Sequence, residues 1–188
     1  MSGIQVEPMD AYNRALVDNV HPDDWPNPAP AEMYNLVVMG AGAGGLVAAL
    51  GAAAAGAKVA LVEMHLLGGD CLNVGCVPSK AIIRSSRVAA LMRAANDYGI
   101  HKAPGKANFG AVMERMRRLR SRISPIDSAR RLTAAGVDVF FGRGEFIDAQ
   151  TLRVGEQRLR FARAVLATGS RPARPEVEGL AEVGYHTN

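Results

Sequence analysis

Two thiols in the string GGDCLNVGCVPSK, Cys71 and Cys76, are the residues of this chain best suited to do chemistry. The spacing CxxxxC can close a small disulfide ring, and a cysteine near the N-terminus of the helix that follows would have its thiolate stabilised by the helix dipole. Such a thiolate could also donate charge to an electron-poor ring beside it. A structural disulfide, half of a zinc site and two unrelated thiols share the same spacing. Structural zinc needs about four protein ligands and only His65 lies nearby. A staple is disfavoured in a reducing compartment. Unrelated thiols are not excluded by spacing.

A second constellation precedes the first. Gly40, Gly42 and Gly45 form GxGxxG directly after an apolar run. The first glycine permits a tight turn, the second lets the backbone approach a pyrophosphate, and the third lets helix and strand pack closely. The helix N-terminus adds free N–H groups and a partial positive charge. Glu63 closes the next strand, where a carboxylate about 20 residues on can accept hydrogen bonds from an adenosine ribose. This context lifts a motif that alone is weak in a glycine-rich chain.

The elements that must carry these residues read as alternating strands and helices. Asn35–Met39, an alanine-rich helix and Lys58–Glu63 make a βαβ unit. A loop with both cysteines leads into a helix over Ser79–Ala95, with Pro78 in its first turn, and a polar loop spans Asn96–Lys106. A second helical region from Phe109 to about Ala135 is interrupted at Ser124 and Pro125, and Gly136 ends it before a strand at Val137–Phe141. Thr151–Val154 and Arg158–Phe161 pair as a hairpin, and Ala164–Ala167 is a short buried strand. The fold class is α/β: a three-layer Rossmann-like dinucleotide-binding domain with a parallel sheet and an antiparallel β-meander.

Residues 1–33 stand apart as an N-terminal extension before a domain at 34–188. A short helix at Asp10–Val17 is followed by HPDDWPNPAP, whose prolines forbid helix or central strand, and Trp25 could pin this arm to the body or to a partner subunit. The formal charge is +4, with an arginine-rich stretch comprising Arg115, Arg117, Arg118, Arg120, Arg122, Arg130 and Arg131. Leu119, Ile123, Ile126 and Leu132 interleave it at helical spacing, so it reads as a solvated helix face and not a nucleic-acid surface. No apolar run is long enough for a membrane span and no secretion signal opens the chain, which predicts a soluble, cytoplasmic protein.

GGDCLNVGCVPSK after a GxGxxG βαβ unit resembles the active-site signature of the class I pyridine nucleotide-disulfide oxidoreductases, among them mercuric reductase, dihydrolipoyl dehydrogenase and glutathione reductase. The resemblance runs from about Tyr34 to the C-terminus. It implies FAD as cofactor, NAD(P)H as electron donor in the full-length enzyme, a small-molecule disulfide, protein disulfide or mercuric ion as acceptor, and a homodimer. By it, Cys76 is the flavin-proximal charge-transfer thiol, Cys71 the interchange thiol, and Lys80 the neighbour of the flavin edge. Gly40, Gly42, Ala43, Gly44 and Gly45 hold the pyrophosphate, Glu63 and Met64 the adenosine, and Gly69, Asp70, Cys71 and Gly75 the centre of FAD. Gly142, Arg143 and Gly144 match an adenine-contacting turn, and Ala167, Thr168 and Gly169 match the ATG motif after the meander.

One departure is Asp70, where the family usually has threonine. A carboxylate beside phosphates is unfavourable unless it turns away, accepts N–H bonds or meets a cation; it is expected to face away. The family's second GxGxxG, its later glycine-aspartate motif and its C-terminal histidine-glutamate base have no match here, so the chain reads as a truncation that lacks turnover alone. The alternative is a non-catalytic flavin-binding or redox-relay module completed by a partner chain.

Overall fold

A computed structural model describes residues 6–101 and 105–187. Six strands form one sheet in the order β3-β2-β1-β6-β5-β4: β1 Tyr34–Met39, β2 Val59–Glu63, β3 Val137–Phe141, β4 Gly144–Asp148, β5 Thr151–Val154 and β6 Gln157–Leu166. β3, β2, β1 and β6 run parallel, whereas β4, β5 and β6 form an antiparallel meander. The long strand β6 belongs to both. Its first half pairs with β5, from Thr151 opposite Arg160 to Val154 opposite Gln157, and its second half with β1, from Phe161 opposite Tyr34 to Leu166 opposite Met39.

Alternation along the central strands makes two cores. Val38, Val59, Leu61, Val137 and Val139 face a helical layer with Leu16, Leu46, Ala49, Leu72 and Leu132. Val37, Ala60, Val62 and Phe140 face the meander through Leu152, Val154, Leu159 and Phe161. The period-2 pattern is therefore apolar on both faces, as expected of strands covered on each side. The helices are α1 Ala11–Val20, α2 Ala43–Ala54, α3 Gly69–Asn73, α4 Cys76–Arg93, α5 Phe109–Ile123, α6 Ala129–Ala134 and α7 Leu180–Val183, with 3-10 turns at Ala95–Tyr98 and Ser124–Asp127. None is long and apolar enough to cross a membrane among the described residues.

Three expectations need correction. The cysteine segment is not a loop: Cys71 lies within α3, and Cys76 is the first residue of α4, so the helix begins before Pro78. The side chain of Asn73 stabilises the extra turn by donating to Leu67 O and Gly69 O, at 3.1 and 2.9 Å. Ala164–Ala167 is not a separate buried strand but the end of β6 and its exit, with Leu166 68% exposed; β5 pairs only as far as Arg160. The strand β4 has no counterpart among the expected elements, and only its first residue, Gly144, falls in the expected turn. Part of the expected polar loop, residues 102–104, lies outside the described residues.

The segment before β1 is built into the domain. Leu16 and Val20 are fully buried, and the Trp25 indole donates to Val139 O at 3.1 Å and meets Phe141 edge-on. Asn27 makes a pair of hydrogen bonds with the Phe141 backbone. The tryptophan thus pins the arm to the body.

Candidate functional site

Three backbone segments meet at the carboxyl edge of the parallel strands, where ligands of open α/β sheets bind. The first is the turn from β1 into α2. Gly40 has φ +98, a left-handed conformation that side chains resist, and a Cβ there would strike Ala167 O at 2.3 Å. A Cβ on Gly45 would strike Gly40 O at 1.8 Å. These two glycines are fixed by the protein's own packing. Gly44 is different, because a Cβ there would meet nothing within 4 Å. It stands in the first turn of α2, whose cap is Gly42 with no side-chain hydrogen bond, so the leading N–H groups remain available to an anion.

The second segment enters α3. Gly69, at φ +52, lies so close to the first turn that a Cβ on it would reach Gly42 Cα at 2.6 Å. Gly68 N donates to Ala41 O at 2.9 Å. The glycine turn and the cysteine segment are therefore packed backbone against backbone. The third segment is the exit of β6, where Ala167 N donates to Met39 O at 2.8 Å and is followed by Thr168 and Gly169 on the open side.

Glu63 braces this corner. Its carboxylate accepts from Ala41 N and His65 N, each at 2.7 Å, and its backbone carbonyl accepts from Gly142 N at 2.9 Å. Met64 next to it is exposed. Arg143 is exposed and 3.9 Å from Glu145. Gly144 opens β4, where a Cβ would crowd Met39, Leu152 and Val62, so sheet packing alone accounts for that glycine. Asp70 is half exposed, with Oδ1 3.8 Å from Arg171; it meets a cation.

Cys71 and Cys76 are both free thiols of intermediate burial. Gly75 joins their helices by donating to Asp70 O at 2.5 Å. Hydrogen bonding with Cys76, followed by burial and the charge of Cys76, pushes the Cys71 thiol above its ordinary value; Lys80 pulls it down and Asp127 pushes it further up. Lys80, exposed, follows Cys76 one turn along α4. Cys76 itself heads an eighteen-residue helix. Among the described residues no group of three or more His, Cys, Asp or Glu side chains gathers as a metal site.

Sequence reasoning missed two contributors. Asp127, whose carboxyl burial pushes up while Arg131 lowers it, closes on Gly68, where a Cβ would meet its Oδ2 at 3.0 Å. Arg120 is buried, not solvated, and donates to Asn73 O at 2.6 Å and to Asn13 Oδ1. Arg115 likewise reaches Ala81 O at 3.0 Å and Arg117 pairs with Asp10 at 2.5 Å. The arginine stretch is thus split, with Arg118, Arg122, Arg130 and Arg131 outward and the others turned inward. The position of Arg120 one turn beyond buried Met116 is the sole local sign of its burial.

Residues 34–188 match the family model described as pyridine nucleotide-disulphide oxidoreductase. The chain is 34% identical over 155 residues to a mercuric reductase of Staphylococcus aureus, covering 82% of this chain and 28% of that protein. It is 37% identical over 155 residues to a glutathione reductase of Nostoc sp., covering 82% and 33%, and 37% identical over 159 residues to a dihydrolipoyl dehydrogenase of Chlamydia trachomatis, covering 80% and 33%. It thus spans about a third of the length of these curated relatives. In fold it is similar to a mutant of the HOCl-induced flavoprotein disulfide reductase RclA from Escherichia coli in its Cu(II) complex, with a TM-score of 0.65 at 23% identity, covering 81% of this chain and 32% of that one.

Proposed function

The chain belongs to the pyridine nucleotide-disulphide oxidoreductase family, and from that premise we propose that residues 34–188 are the FAD-binding portion of a flavin-dependent disulfide oxidoreductase whose redox-active pair is Cys71 and Cys76. The observation that carries this reading is the close packing of Gly42 on Gly69, which joins a phosphate-binding turn to the cysteine-bearing helices. Open space before Gly44 and the uncapped start of α2 suit a dinucleotide pyrophosphate. FAD, when bound, supplies a two-electron carrier between a reduced nicotinamide and the disulfide.

In this reading the chain's residues divide the work. Gly42, Ala43 and Gly44 would offer backbone N–H groups to the pyrophosphate, and Glu63 holds the turn that presents them, its remaining lone pairs able to accept from ribose hydroxyls. Arg171, 3.8 Å from Asp70, would offset the charge of that carboxylate beside the phosphates. Arg143, Gly144 and Met64 border the adenine end, and Ala167, Thr168 and Gly169 the opposite wall. Lys80 places positive charge one helical turn beyond Cys76 and favours the Cys71 thiolate.

Thiol chemistry follows from balance. The Cys71 thiolate attacks one sulfur of a substrate disulfide, forming a mixed disulfide and expelling one thiolate. The Cys76 thiolate then attacks Cys71 Sγ and expels the second, leaving the Cys71–Cys76 disulfide. Two electrons pass to substrate. A mercuric ion would instead be bound between thiolates before reduction.

The test is an absorbance spectrum of the FAD-loaded full-length protein during partial reduction with dithionite. A long-wavelength band from a thiolate beside the flavin, lost in Cys76→Ser and retained in Cys71→Ser, is expected. Absence of the band from a flavin-loaded sample would sink the assignment.

A further inference from the structure

Arg120 is 7% exposed, and its guanidinium links two parts of the chain that are far apart in sequence. Nη1 donates to Asn73 O at 2.6 Å, and Nη2 donates to Asn13 Oδ1 on α1. Asn13 is fully buried and held in its turn: its side-chain amide donates to Pro8 O at 2.7 Å and its backbone N–H to Asp10 Oδ1 at 2.9 Å. Asn73 ends α3 and lies between the cysteines, inside the covalent ring that their disulfide would close. Its carbonyl belongs to a helix terminus and has no partner within the helix, so Arg120 supplies one. Burial first, and Arg117 second, pull the Arg120 guanidinium down, with Asp10 opposing. A cation held there against that cost implies a positional task.

We propose that Arg120, held by Asn13 of the N-terminal helix, is a positioning residue for the Cys71–Cys76 pair, so that the segment before residue 34 sets the redox poise of the thiols. This rests on the reading of the pair as redox-active. Asp10 and Asn13 precede the family-matched residues 34–188, whereas Arg120 and Asn73 lie within them, so the device joins the extension to the matched domain. With Asn73 fixed on one side by Arg120 and on the other by its bonds to Leu67 and Gly69, the two thiols sample a narrow range of separations. The effective concentration of each at the other is thereby raised. Disulfide formation is favoured in the exchange in which dithiol plus oxidised glutathione gives the protein disulfide and two glutathione thiols, the two protons passing to the latter.

The test equilibrates the full chain in glutathione buffers and traps thiols by alkylation, for wild type, Arg120→Lys, Asn13→Ala and Asn27→Ala. Arg120→Lys keeps the charge but cannot reach both carbonyl partners. Asn27→Ala loosens the same arm at Phe141. The oxidation constant is expected to fall about tenfold, or about 30 mV for a two-electron couple, in Arg120→Lys and in Asn13→Ala. Combining Arg120→Lys with Asn13→Ala in a fifth protein should lower it no further, and Asn27→Ala should match wild type. Equal constants in all four proteins, or an equal fall in Asn27→Ala, would overturn the proposal. Asn13→Ala leaves the guanidinium in place and so answers the question if Arg120→Lys folds poorly. A wild-type chain that forms no internal disulfide at any glutathione ratio overturns the redox reading itself, a result distinct from unchanged variants.

Discussion

At the scale of single residues, the cysteines are made unequal by what surrounds them. Cys76 takes the N-terminus of a long helix, while Cys71, in a short one, is pushed toward its protonated form by Cys76, by burial and by Asp127. Lys80 opposes that trend. Removing the negative charge with Asp127→Asn should lower the pH at which Cys71 becomes reactive and speed its alkylation severalfold at neutral pH. Lys80→Met should move the profile the other way. Mass mapping of iodoacetamide labelling at Cys71 across pH checks both, and identical profiles in the two variants would rule out electrostatic control by these neighbours. Cys71 and Cys76 stand out in the sequence through their flanking motif, since their spacing alone leaves unrelated thiols open. Asp127 was not, because it reaches Gly68 only through the fold.

At the scale of elements, α1 is fastened by a charged cap. Asp10 accepts from Tyr12 N and Asn13 N at 3.0 and 2.9 Å and pairs with Arg117 at 2.5 Å. Burial pushes its carboxyl up, but the Asn13 N–H and Arg117 outweigh burial and hold it below the ordinary 3.8. A carboxylate depressed in the folded state stabilises the protein above its unfolded value, and that contribution disappears as pH falls through the lower, folded value. The fastening of α1 should therefore weaken only below about pH 4. In Asp10→Asn the acid-dependent loss should vanish, and stability at neutral pH should drop by about 0.5–1 kcal/mol from the lost ion pair with Arg117, because asparagine caps a helix about as well as aspartate. Urea unfolding followed by Trp25 fluorescence reads this directly, since the indole is bonded to Val139. A variant with wild-type stability at pH 7 would show the pair with Arg117 to be dispensable. The helix was visible in the sequence within a few residues of its bounds, whereas its partner on α5 was hidden in what read as a solvated arginine face.

At the scale of the whole molecule, the described residues bring one glycine-rich turn and one thiol pair together at a single edge of the sheet. A second GxGxxG, which would take a nicotinamide cofactor, does not occur in this sequence. The purified chain is therefore expected to show no NADH- or NADPH-driven reduction of glutathione disulfide, lipoamide or mercuric ion above a buffer blank. Robust NADPH oxidation with added FAD would refute that expectation. By itself the sequence determined the βαβ unit, the glycine turn, the cysteine motif and the strand at Val137–Phe141. These depend on hydrophobic period, on glycine's freedom and on local spacing, all of which act over a few residues. Only the tertiary structure decided that β6 unites parallel sheet and meander, that Gly42 rests on Gly69, that Trp25 ties the arm to β3, and that Arg120 spans from Asn13 to Asn73. Those contacts join residues distant in the chain, and burial of a paired guanidinium depends on partners that no local pattern announces.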